Sequence, residues 1–425
     1  MSHPASTALV LQGGGALGAY ELGAARRLYK DQDFAPDLIA GVSIGAITGV
    51  LLARPAQGLK PLEALEAFWQ KVTVKGLFLP PPLRPYASAL GNPNFFVPRH
   101  DYFALPMWTH IYDTTPLRET LLQLIDLKAL ADPEAMPGLL VSATDVEAGE
   151  IEYFFSREGG LSLDHIMASS SFPPSFPMTR IGEKYYWDGG LFDNTPLGAV
   201  LERLDTAKGA DRTIFVINLF PNKVPVPTNL HEVRVRTHNL HFVNRSRADV
   251  RMLERINEVA DLMEALENLP EGNPLKDNPA YQAVAKRQYV RHPRIVEITR
   301  PEQVLGFGGS DFSPGTIEQR ADEGFKQTDK ALLKLFDSKC LPQERALSTF
   351  GENCLTIPPL VSRVQDLRET VPRDCAPRPS RLSDAAVSHG RNRGFFLESQ
   401  PAPPRFHDCR EKDLPKFLRS ESHSP

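Results

Sequence analysis

A chain of 425 residues with 41% hydrophobic residues can bury a sizeable core and exceeds one compact unit by the usual size relation. Its formal net charge of −4 gives no electrostatic reason to expect nucleic acid, nor adsorption to an anionic membrane by charge alone. The four cysteines, Cys340, Cys354, Cys375 and Cys409, are scattered without a Cys-x-x-Cys pair, which argues against zinc and suits a reducing, cytoplasmic compartment. Residues 1–7 lack a basic n-region, and the longest weakly polar run, Gly41 to Ala53, is too short to span a bilayer. The expectation is no signal peptide and no transmembrane helix, with any membrane or lipid-aggregate contact peripheral.

In chain order, Ala8 to Gln12 reads as a short buried strand, Gly13 to Gly18 as a turn and Ala19 to Lys30 as a helix. A second buried strand covers Asp37 to Val42, and a helix runs on from Ser43 to Ala53. Pro61 to Val72 is a helix with Leu62, Leu65, Phe68 and Trp69 on one side. Gly76 to Tyr112 is a proline- and aromatic-rich excursion that lines an acyl pocket, dips into an interface, or forms a satellite hydrophobic cluster. A helix from Pro116 to Leu130 follows, then strands at Leu139 to Ala143 and Ile151 to Phe155, and a short helix from Leu163 to Ser169. Lys184 to Trp187 is a strand before Asp188, Thr195 caps a helix that starts at Pro196, and Thr213 to Leu219 is a strand. This alternation predicts a three-layer α/β/α sandwich with a largely parallel central sheet.

Beyond Pro221 the texture changes to a charged amphipathic helix from His241 to Leu269, a strand at Ile295 to Ile298 and a helix from Pro314 to Phe336. The last 85 residues hold eleven prolines and no Tyr or Trp, the composition of a disordered tail. The expected organisation is a catalytic domain over 8–201, a mainly helical extension over 202–340 that completes or packs on the core, and a dispensable tail over 341–425.

Three motifs carry chemistry. Gly13-Gly14-Gly15-Ala16-Leu17-Gly18 sits between a strand and a helix, where free backbone N–H groups and the helix dipole can hold an oxyanion or a phosphate. It also fits the dinucleotide fingerprint G-x-G-x-x-G, but the acid that reading wants at the end of the second strand is replaced by Gly41-Val42-Ser43; Asp37 only starts that strand. Gly41-Val42-Ser43-Ile44-Gly45 is a G-x-S-x-G where a buried strand feeds a helix, the setting of a nucleophile elbow; a plain serine N-cap is the alternative. Asp188-Gly189-Gly190 follows a short apolar strand and leaves room for a carboxylate to face a cleft, although Asp-Gly is also a common turn.

Together these motifs resemble the patatin-like phospholipase family, through GGGALGAYELG, GVSIGA and WDGGLFDNTPL, with further likeness in YDTTPLRETL, LLVSATDVEAGE and ASSSFPPSFP. The resemblance spans about 8–201, and FGGSDFSPGTIEQRADEGFKQT is similar to a C-terminal extension of some bacterial members. It implies a serine acyl-hydrolase acting on lipid acyl esters without cofactor or metal. Ser43 would be the nucleophile, Asp188 the base, and the loop of Gly13, Gly14, Gly15 and Gly18 the oxyanion hole. Gly41, Gly45, Gly189 and Gly190 would serve as motif glycines. Plant-type members carry a basic residue where Leu17 stands, so this chain lacks a cation there.

Three rivals stay open at this stage. A Ser-His-Asp triad would draw on His165, which falls in a helix rather than at a strand end. A non-enzymatic scaffold on the same fold is the second, and an NAD(P)-binding oxidoreductase using the glycine turn the third. The acyl ester and any homo-oligomeric state are not legible.

Overall fold

The structure is a computed structural model and describes residues 7–30, 34–75, 90–204, 212–221, 223–243, 245–270, 272–285, 293–301 and 308–339. Much of the first part of the aromatic excursion and the whole tail over 341–425 lie outside these residues.

The first strand, β1 (Thr7–Leu11), is followed by a 3-10 turn over Gly15–Gly18 and helix α1 (Ala19–Leu28). Strand β2 (Leu38–Gly41) leads into α2 (Ile44–Ala53), and α3 (Pro61–Val72) comes next. The aromatic excursion supplies a small hairpin of β3 (Val97–Pro98) and β4 (Tyr112–Asp113). The helix read from Pro116 to Leu130 is two, α4 (Thr115–Leu124) and α5 (Leu127–Ala131). The break has a local cause. Asp126 is extended and its carboxylate accepts the amides of Lys128 and Ala129, starting a new helix instead of continuing the old one.

Strands β5 (Gly138–Asp145) and β6 (Glu150–Phe155) form a hairpin, then come α6 (Leu163–Ser169), β7 (Thr179–Ile181), β8 (Lys184–Asp188) and α7 (Leu197–Leu201). The remainder is β9 (Thr213–Asn218), α8 (Leu230–Val243), α9 (Arg245–Glu267), α10 (Pro279–Ala285), β10 (Arg294–Thr299) and α11 (Pro314–Lys339). The helix read from His241 to Leu269 is therefore α8 and α9. At the end of α8 the Phe242 carbonyl is engaged by the side chain of Gln12.

The sheet order is β10-β9-β1-β2-β5-β8-β7, with β6 also paired to β5. The five strands from β10 to β5 are mutually parallel, whereas β6, β7 and β8 are antiparallel additions on one flank. Side chains alternate across the sheet as strand geometry requires. Leu9, Leu11, Ile39, Leu139, Val141, Phe215 and Ile217 pack with α1, α2, α3 and α11 on one face, while Ala8, Val10, Leu38, Ala40, Leu140, Ile214 and Val216 pack with α7 on the other. The result is an α/β sandwich with a mostly parallel sheet, as the alternation of elements predicts.

Helix α11, far along the chain, packs against α1 without a gap. A Cβ added to Gly23 would fall 1.7 Å from the Ala321 carbonyl oxygen, so only glycine permits the two backbones to touch. Among the described residues no helix is long and apolar enough to cross a membrane.

Candidate active site

Parallel topology brings the β1–α1 and β2–α2 turns to the same carboxyl edge of the sheet, where α/β folds place ligands. Ser43 occupies the second of these turns with φ 56° and ψ −124°, the one positive-φ residue other than glycine among the described residues. Such a backbone costs about 1–3 kcal/mol and persists only where surrounding contacts enforce it. Here they do. A Cβ on Gly41 would come 2.2 Å from the Gly45 carbonyl oxygen, and one on Gly45 would come 2.5 Å from that of Leu11. The two motif glycines thus let the turn close on itself and against β1, and the strained serine is pushed to the rim.

Asp188 arrives by a different route. It ends β8, which runs antiparallel to β5 with Ala143 opposite Asp188. Gly41 at the end of β2 is level with Val141 of β5, and the Ser43 hydroxyl beyond it is close enough to the Asp188 carboxyl to favour its charged form. Its backbone is tied down by its own N–H, donating to Ser171 (3.0 Å), and by the Thr144 hydroxyl, donating to its carbonyl (2.9 Å). Oδ1 accepts the Gly190 N–H at 2.7 Å, and Oδ2 is buried. The residue is 1% exposed. Burial pushes its carboxyl up to about 7, against the opposing influence of the Ser43 hydroxyl and the Gly190 N–H. A carboxylate of this kind is half ionised near neutrality.

The glycine loop lies alongside. A Cβ on Gly13 would be 2.9 Å from the Ser43 Cβ, so Gly13 abuts Ser43 directly. Gly14 precedes the 3-10 turn and Gly15 opens it, so their amides belong to the group that has no preceding carbonyl within the turn. Gly18 serves packing instead, since a Cβ there would overlap Ile44 of α2, and its absence lets the turn rest on the helix that follows Ser43. Gly189 packs against the Ser142 backbone of β5.

Three residues at the site carry no signal in the motifs as read. Ser169, the last residue of α6, accepts the Ser43 N–H on its Oγ at 3.1 Å. Asn194 is buried and donates from Nδ2 to the Gly13 carbonyl (3.0 Å), tying the loop after Asp188 to the glycine loop. Gln12 is 1% exposed; its Oε1 accepts the amides of Leu219 and Phe220, and its Nε2 donates to the Thr195 hydroxyl and the Phe242 carbonyl. Thr195 is thus committed to Gln12 rather than capping α7, whose N-cap is Pro196. Ser169 and Asn194 fall within ASSSFPPSFP and LFDNTPL, but their partners lie 126 and 181 residues away, out of reach of any local pattern.

His165 is occupied elsewhere. Its Nδ1 accepts the Ser162 N–H at 2.9 Å at the start of α6, and its ring packs edge-on against Phe154 at 4.7 Å between centroids. Burial pushes its imidazole below the usual histidine range. Asp37 sits at the opposite edge of the sheet, where its carboxylate accepts the Thr7 N–H at 2.9 Å. It holds the start of β1 rather than facing the glycine loop, which leaves a ribose without its acid. Among the described residues no group of three or more His, Cys, Asp or Glu converges as metal ligands would.

The aromatic excursion divides. Phe95 and Phe96 are buried and Tyr112 packs on them together with Phe176, while Tyr102, Phe103, Leu105 and Met107 stand exposed.

Residues 9–201 match the model of the patatin-like phospholipase family. No curated protein matches it. Among solved structures it is similar to VipD from Legionella pneumophila, at 15% identity over 78% of this chain and 68% of that one, with a TM-score of 0.37. It is also similar to a chain of the heterodimeric ExoU–SpcU complex of the type III secretion system of Pseudomonas aeruginosa, at 14% identity, 78% and 52% coverage and a TM-score of 0.30. This chain thus spans about half the length of the latter.

Proposed function

We propose that the chain hydrolyses lipid acyl esters by acyl transfer through Ser43, with Asp188 as the single general base and the amides of the Gly13–Gly18 loop as the oxyanion hole. The observation that carries this reading is the buried Asp188 carboxyl, whose charged form the Ser43 hydroxyl favours, with that serine held in a strained strand-to-helix turn. Ionised Asp188 takes the Ser43 proton as Oγ attacks the ester carbonyl carbon. The oxygen of that carbonyl becomes an anion facing the amides of Gly14 and Gly15. When it collapses, the bond to the alcohol breaks, and the departing oxygen recovers the proton from Asp188. Water then gives a proton to Asp188 while attacking the acyl-Ser43, and a second collapse releases the fatty acid and returns the proton to Ser43.

The direct test is a panel of phospholipids, lysophospholipids, acylglycerols and p-nitrophenyl esters of short to long chain, offered to EDTA-treated protein. Hydrolysis should be undiminished by the chelator. Activity lost to EDTA and restored by calcium would count against a metal-free serine mechanism.

The same geometry sets a pH profile. Because the base must be ionised, kcat/KM should rise with pH and level off above an apparent pKa of about 7. Below that value it should fall tenfold per pH unit. A rate still flat at pH 5 would mean that a group with an ordinary carboxylate pKa, not buried Asp188, accepts the proton.

A further inference from the structure

The segment over 308–339 touches the glycine loop. Arg320 of α11 is 6% exposed, and its Nη1 donates to the Ala16 carbonyl at 2.9 Å across 304 residues of sequence, and to the Asp311 carbonyl at 3.3 Å. Asp311 holds the start of α11 in place: its Oδ1 accepts the Ser313 N–H and its Oδ2 the Thr316 hydroxyl. Just before it, the Gly309 carbonyl lies against Gly15, where a Cβ would come within 2.5 Å of that oxygen. The turn at 308–311 and Arg320 therefore clasp the 3-10 turn. Leu17 brings no charge to that turn, and a guanidinium bonded to it comes from 304 residues further along the chain.

From this we infer that Arg320 is a positioning residue for the oxyanion hole. It acts through a relay of peptide groups that ends on the Gly15 amide, so the segment over 308–339 is part of the catalytic unit. The relay can be followed bond by bond. The guanidinium binds the oxygen of the Ala16–Leu17 peptide, the N–H of that same peptide (Leu17) donates to the Gly14 carbonyl at 3.1 Å, and the N–H of the Gly14–Gly15 peptide belongs to Gly15. A cation on the first oxygen draws electron density along the chain. Each peptide group then becomes a better donor at its N–H, by about 10–30% per bond. Because the cation is buried, its field is little screened. Its charge and its hold on the Ala16 carbonyl thus fix the direction and raise the acidity of the amide that faces the developing oxyanion. Removing one such donor outright costs about 10²–10³ in kcat, so weakening one should cost about five- to thirty-fold.

The inference rests on acyl transfer through Ser43, and the experiment separates the two. The full-length protein and its Arg320→Gln and Arg320→Lys variants are acylated with a p-nitrophenyl ester labelled with 13C at its carbonyl. The adduct is trapped by dropping the pH to about 5, where a base of pKa about 7 is protonated. The acyl carbonyl stretch is then read by isotope-edited infrared spectroscopy beside kcat, KM and active-site titre. The expected result is a stretch at higher wavenumber in Arg320→Gln than in the parent, kcat down five- to thirty-fold per active site and KM within about twofold, with Arg320→Lys between the two. An unshifted stretch with parental kcat per active site overturns the inference, as does a loss confined to titre, which marks structural support alone. Should the glutamine variant not fold, the lysine variant decides by itself. Its shorter side chain reaches Ala16 less well, so a raised stretch with kcat lowered threefold or more supports the relay, and parental values overturn it. A parent protein that never forms an acyl-serine overturns the Ser43 reading first and is recognised by the missing band.

Discussion

Replacing Ser43 by alanine should lower kcat by about four to six orders of magnitude while the protein stays folded. The loss follows from chemistry: without Oγ no acyl-enzyme can form, and what survives is attack by water beside the oxyanion donors. Retention of the fold follows from the local structure. The Ser43 backbone is held at φ 56° by its N–H to Ser169 and by the close approach of Gly41 to Gly45, none of which involves the hydroxyl. Alanine keeps the same Cβ beside Gly13 and bears the same backbone strain. Covalent labelling by a fluorophosphonate should vanish in this variant with its circular dichroism unchanged. Labelling that persists would place the nucleophile elsewhere.

Asp188→Asn should lower kcat about 10⁴-fold, as loss of an essential base does. The side chain would keep its shape and one carbonyl-type oxygen for the Gly190 N–H, but an amide cannot take the serine proton. The same substitution should also stabilise the protein above neutral pH, and the sign can be worked out. In the folded state the Asp188 carboxyl is raised from 3.8 to about 7, so folding favours its protonated form. That contribution is fully present below pH 3.8 and is lost as pH rises to about 7. Above this pH the buried charge costs at most roughly 4 kcal/mol, which asparagine would not incur. Thermal unfolding at pH 5 and pH 8 should therefore show a gain for the variant that is larger at pH 8. His165→Ala, in contrast, removes a cap contact at the start of α6, about four residues or roughly 6 Å along the axis from Ser169, and should keep most of the activity. An active Asp188→Asn beside a folded but inactive His165→Ala would restore a triad.

What the sequence makes legible is what short-range geometry encodes. A glycine run between strand and helix, a serine flanked by glycines at the next such turn and an aspartate before two glycines each announce a local conformation. The alternation of elements then brings the first two to one sheet edge. The helix boundaries at 61–72 and 163–169 follow from apolar spacing and are found as read. Failures occur where a side chain's partner is distant in sequence. Thr195 reads as a cap until Gln12 is seen to engage its hydroxyl across 183 residues. Asp126 ends one helix and starts another because its carboxylate competes for local amides, a signal present in the sequence but masked by the leucine spacing around it. Arg320 looks like one of many charges on an amphipathic helix, and only folding shows that it is buried against Ala16. The motifs give the proposed reacting groups, and tertiary contacts give the residues that hold them.

The central claim, that the acyl group passes through Ser43, is tested most directly by quenching the enzyme in acid during turnover of a slowly released acyl ester and mapping the adduct by tandem mass spectrometry. The account expects the acyl mass on the peptide containing Ser43, fragmenting to that residue, with none on Ser43→Ala. An acyl group on any other residue, or turnover with no covalent adduct at any time, would contradict it.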